Sequence, residues 1–152
     1  MTSEDLRFEI ETEYDYLEQI VKELSQLLKD IGDCEPTIRE KTASAAFMAQ
    51  FYNGVENILK RISRYYELPL PTGDSWHIDL FKRFCVPPHG PLPLLFDSDL
   101  APAMASFRKF RHVVHHGYGF QLDWERLREG IFNIEDVFRR FKASCALFLD
   151  NV

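Results

Sequence analysis

The sequence predicts an all-α fold, an antiparallel bundle of four to five helices. Four stretches carry apolar residues at steps of three and four, the spacing of one helix face. No stretch alternates polar and apolar residues with period two, and no hairpin turn dipeptide stands between two such runs, so a sheet has little support. Proline concentrates in two connectors, 68–74 and 86–96, which regular helix cannot cross.

In the first stretch Leu6, Ile10, Tyr14, Leu17, Val21, Leu24 and Leu28 define a helix from Ser3 to about Asp30. Ser3 with Glu4 and Asp5 reads as its N-cap and first turn, and Gly32 as its stop. Pro36 fits the first turn of a second helix that runs through Phe47, Phe51, Val55, Ile58, Leu59 and Ile62 to about Tyr66. Gly54 lies inside it at a cost of about 1 kcal/mol relative to alanine, which predicts a close helix crossing there. After the first proline connector, Asp74 or Ser75 can cap a short helix, WHIDLFKRF, ending near Cys85. The second connector carries four prolines and is apolar enough to lie against the body. Asp97, Ser98 or Asp99 then opens a helix that turns Phe107, Phe110, Val113 and Val114 inward, with Gly117 and Gly119 marking its end. A last helix follows Asp123, striped by Trp124, Leu127, Ile131, Ile134, Phe138, Phe141, Cys145 and Phe148.

A chain of 152 residues fits a single domain over 1–152, large enough to bury a core without disulfides or metal. Hydrophobic residues at 45% with 28% charged argue against disorder. The net charge of −6 excludes a surface that coats nucleic acid indiscriminately, so any such contact needs a local basic patch. Cys34, Cys85 and Cys145 are odd in number and widely spaced, which fits a reducing compartment. The acidic start and the absence of an apolar run near 18 residues argue against a signal peptide or a membrane span. A complete, cytoplasmic protein is expected.

The basic patch is residues 106–123, SFRKFRHVVHHGYGFQLD. Arg108, Lys109 and Arg111 bring positive charge, His112, His115 and His116 can give or take a proton near neutral pH, and Tyr118 adds a phenol. RNA can be cut without a metal when one group takes the 2′-hydroxyl proton, another protonates the leaving oxygen, and a guanidinium holds the phosphate. Both residue types are present here. Arg111 and His116 are five apart, about 140° around an ideal helix, so two protomers meeting at this helix would bring them together. His112 and His116, one turn apart, also have the spacing of zinc ligands, but no Glu or Cys lies close by in sequence. Neither a metal nor another cofactor is expected.

The run from Arg111 through His116 to Tyr118 is similar to the Arg-x4-6-His motif of HEPN ribonucleases, in the Arg-x4-His-x-Tyr form of HepT toxins. Gly54-Val-Glu-Asn-Ile-Leu-Lys-Arg-Ile, Leu70-Pro-Thr-Gly-Asp-Ser-Trp-His and Tyr118-Gly-Phe-Gln-Leu-Asp-Trp also resemble that group, over about residues 50–127. Arg108 with His115 fits the loose spacing as well, and the tyrosine two places after His116 decides for the Arg111 pair. The resemblance implies an HEPN-type bundle and a homodimeric, metal-independent endoribonuclease, the toxin of a toxin–antitoxin system. In it Arg111 would stabilise the phosphate and His116 would transfer protons in a composite cleft. It further implies a cognate MNT-domain nucleotidyltransferase antitoxin that neutralises the toxin by attaching AMP to Tyr118. Glu56 or Asn57 would support the site, an exposed polar face being the other reading of that pair, while His112, His115 and Arg108 are helpers or bystanders. Trp76 and His77 can line the cleft, although packing of the short helix explains Trp76 more simply. Two other functions fit the same residues: a non-catalytic substrate-binding or interaction subunit of a nucleotidyltransferase, and a helical oligomerisation protein with no site.

Overall fold

The computed structural model describes residues 1–117 and 122–152. It contains helices α1 (Ser3–Ile31), α2 (Ile38–Tyr65), α3 (Trp76–Lys82), α4 (Leu100–His116) and α5 (Trp124–Asp150), and no strand among the described residues. The four long helices run up-down-up-down. Arg61 of α2 reaches Glu9 at 3.0 Å and Glu13 at 3.2 Å on α1, and Gly54 faces Leu17, so the two helices are antiparallel. Arg7 meets the Leu149 carbonyl at 3.1 Å and Ser25 meets Glu135 at 3.0 Å, which sets α1 antiparallel to α5 in turn. This is the all-α, antiparallel bundle that the sequence predicts.

The helix starts differ from the sequence expectation in a consistent way. Thr2, not Ser3, caps α1 by a reciprocal box with Asp5, and Thr37 caps α2 by the same box with Glu40, which leaves Pro36, expected in the first turn, outside the helix. In both the residue three places on is acidic and returns a bond to the cap's backbone N–H, which satisfies two donors the helix leaves unpaired. Pro36 is buried just before the cap. For α4 the carboxylate that accepts from Asp99 and Leu100 N–H groups belongs to Asp97, while Asp123 accepts from Glu125 at the start of α5.

The core is aromatic. Phe51 packs edge-on against Phe107 and Phe138, and Phe96 stacks on Phe141 at 5.6 Å, the offset and edge geometries that ring quadrupoles favour. The second connector divides in two: residues 87–91 are exposed, whereas Leu92, Leu95 and Phe96 are buried, and Leu95 and Phe96 donate their N–H groups to the carbonyl of Phe84, two residues beyond α3. At Gly54 a Cβ would lie 2.5 Å from Leu17 Cδ2, the close crossing that its position in mid-helix predicts. Val113 departs from expectation. It is 42% exposed and lines, with Phe110 and Leu122, a cavity of about 570 Å³ between α4 and α5.

Candidate functional site

Arg111 lies in the last two turns of α4, on the side that packs against α2. Its Nε–H donates to Asn53 Oδ1 on α2, and its Nη1 lies 3.3 Å from His77 Nε2 on α3. His77 Nδ1 in turn lies 2.6 Å from Glu56 Oε2. Three helices are thus joined through one guanidinium. Asn53 and Glu56 share a face of α2 because they are three residues apart, and α3 is short enough for His77, its second residue, to stand over that face.

Where the hydrogens sit follows from the hydrogen-bonding inventory of these groups. A guanidinium can only donate, so the contact with Arg111 requires a lone pair on His77 Nε2, and the ring's proton must sit on Nδ1, facing Glu56. With the hydrogens so assigned the ring is neutral. The Glu56 side chain is only 4% exposed, and a buried carboxylate needs such a donor. Arg111 is held by two neutral acceptors and forms no ion pair with a carboxylate among the described residues. One Nη1 hydrogen and both Nη2 hydrogens remain for another acceptor.

The histidines of α4 divide between two faces. His115, one turn beyond Arg111, is exposed, and its proton affinity is lowered first by slight desolvation and then by the positive charge of Arg111 and by His116 and His77. His112 and His116 pair instead with each other, their rings 4.5 Å apart. Because α4 stays helical through His116, the offset of about 140° between Arg111 and His116 persists. One protomer does not bring them to a common face.

The family described as HepT-like protein matches residues 43–152. The chain belongs to that family. The match leaves out α1 and includes all four members of the Arg111 network. No curated protein and no solved structure matches the chain. Membership in the HepT-like family, within the HEPN superfamily, points to a toxin of a toxin–antitoxin system.

Within this HepT-like chain the remaining candidates fall as follows. Glu56 is in the network, while Asn57 is exposed. Asn53, one turn before Asn57, is the α2 amide that reaches Arg111, and it went unnoticed in the sequence. Its signal was available: Asn53 and Glu56 are polar at a helical step in a run of buried apolar residues. Arg108 lies with its guanidinium 5.1 Å from the Phe81 ring centre, a cation–π contact. Trp76 is half-buried under Lys60 and stacks on His77 with ring centres 3.5 Å apart, so it packs α3 and also steadies His77. Tyr118 lies outside the described residues. Among the described residues no three His, Cys, Asp or Glu side chains converge as a metal site would need, and no helix is long and apolar enough to cross a membrane.

Proposed function

We propose that this HepT-like protein is a metal-independent endoribonuclease toxin. Its Arg111 holds the scissile phosphate, and His116 transfers protons in a cleft completed by a second copy of the chain. The observation that carries this reading is the state of Arg111: fixed in direction by Asn53 and His77, yet, among the described residues, with no carboxylate to neutralise its charge and three N–H groups unused. A guanidinium so prepared suits two phosphate oxygens at once. The remaining offset of His116 is met by twofold packing at α4, which sets the Arg111 of one protomer beside the His116 of the other.

Control follows from the same stretch. A nucleotidyltransferase antitoxin of the MNT type adds AMP to Tyr118, two residues beyond His116, and the added phosphate puts bulk and negative charge where the RNA phosphate sits. Incubation of purified protein with RNA in EDTA is expected to yield 2′,3′-cyclic phosphate and 5′-hydroxyl ends. Cleavage that survives both Arg111→Ala and His116→Ala refutes the site. With the antitoxin and ATP, mass spectrometry is expected to show whole AMP units on the native protein and none on Tyr118→Phe.

A further inference from the structure

The neutral imidazole of His77 is better placed for chemistry than an anchoring role requires. Asn53 already supplies α2 with a polar group toward α4, and Arg111 has a satisfactory acceptor in it alone. What His77 adds is a lone pair on Nε2, 3.3 Å from the cation that would hold the phosphate, on a ring whose other nitrogen is fixed at 2.6 Å on a buried carboxylate. A carboxylate behind an imidazole holds its tautomer and stabilises the imidazolium that forms when the ring takes a proton.

We propose that His77 is a catalytic residue, the general base of the cleavage reaction, an inference that rests on the ribonuclease reading above. In the absence of RNA, Arg111 caps the Nε2 lone pair with an N–H. An arriving phosphate engages the free Nη hydrogens first and, as a stronger acceptor than a neutral imidazole, then draws the Nη1–H off Nε2 while the Nε–H stays on Asn53. The uncapped Nε2 then faces the adjacent ribose. The 2′-hydroxyl proton passes to His77 Nε2 as the O2′ electron pair forms the bond to phosphorus. The P–O5′ bond breaks with its electron pair on O5′, which takes a proton from protonated His116. The products are a 2′,3′-cyclic phosphate and a 5′-hydroxyl, and exchange with water returns both histidines to their starting states.

The charged and titratable groups around His77 are Glu56 and Lys60 from α2, the latter over the Trp76 ring, Arg111 and His115 from α4, and Asp79 on its own helix. Glu56 alone among them touches the ring with a negative charge. The lone pair is therefore presented with a carboxylate on one nitrogen and a displaceable cation on the other.

The test measures single-turnover RNA cleavage in EDTA across pH, with binding of an RNA blocked by 2′-O-methyl groups measured alongside. His77→Asn keeps an amide that can donate to Glu56. It is expected to lose about 100-fold or more in rate and the acidic limb of the pH profile, while binding of the blocked RNA is retained through Arg111. Glu56→Gln removes the negative charge that favours a proton on the ring and is expected to move that limb to lower pH. If His77→Asn is unfolded by circular dichroism, His77→Gln takes its place, and ¹⁵N spectra of the native protein, expected to show the proton on Nδ1 at neutral pH, test the starting state directly. Cleavage that depends on Arg111 and His116 but keeps its rate and pH profile without His77, or a proton found on Nε2, overturns this inference alone. A native protein that cleaves no RNA overturns the ribonuclease reading and this one with it.

Discussion

His115 shows how a single residue reports on its surroundings. Slight desolvation, then Arg111, His116 and His77, hold the proton affinity of this exposed ring below that of an ordinary histidine. Its NMR titration midpoint is expected below about 6.5, and Arg111→Gln is expected to move it upward by removing a positive neighbour. The sign for stability follows from linkage. The unfolded chain takes up the proton at higher pH than the folded one, so the contribution is complete above the unfolded value and declines as pH falls through it. Replacing His115 with Gln should therefore flatten the loss of melting temperature on acidification below about pH 6.5, and an unchanged slope would contradict the shift. Tyr52 is the other residue with an unusual position. Its side chain is fully buried and its hydroxyl has no partner; burial, then the Glu56 charge, pushes its ionisation up, against the pull of Arg108 and Arg111. A buried, unpaired hydroxyl costs stability. Tyr52→Phe is thus expected to leave unfolding free energy unchanged or raise it by about 1 kcal/mol, measured by urea denaturation.

Helices α1 and α2 depend on one crossing and on matched caps. Gly54→Ala gains up to about 1 kcal/mol of helix propensity but drives a methyl to 2.5 Å from Leu17 Cδ2, a side chain with no exposed surface. Overpacking of a filled core costs about 1–3 kcal/mol, so a net destabilisation is expected, partly relieved in the double variant with Leu17→Ala. If Gly54→Ala alone stabilises the protein, the crossing is looser than the distance implies. Thr37→Ala removes the hydroxyl that accepts from Glu40 and is expected to cost about 1 kcal/mol. The helix stripes were readable from sequence because burial follows a period of 3.6 residues. The cap of α1 was misplaced by one residue because Thr2 and Ser3 are both suited to that position, and Pro36, which suits a first turn, precedes the cap Thr37 instead. Which of them caps depends on the reciprocal carboxylate three places on.

For the whole molecule the testable consequence is a division of the site between copies. If Arg111 of one protomer acts with His116 of the other, mixing Arg111→Ala and His116→Ala proteins under exchange rebuilds one intact pair in each mixed dimer. Random exchange makes about half of the dimers mixed, each with one of two pairs, so about a quarter of native cleavage should return. No recovery on complete exchange would refute the division.

The sequence by itself determined that the chain is helical and where the helices lie, and it showed that the run from Arg111 through His116 to Tyr118 resembles the HepT motif. Each of these is a matter of local spacing, readable along the chain. Tertiary structure decided what surrounds Arg111. His77 is 34 residues from it and Asn53 is 58 residues away, on helices whose mutual rotation no periodicity encodes. The choice of Asn53 over Asn57 turns on one helical turn of register between α2 and α4. Only packing of the core, with Phe51 against Phe107, sets that register.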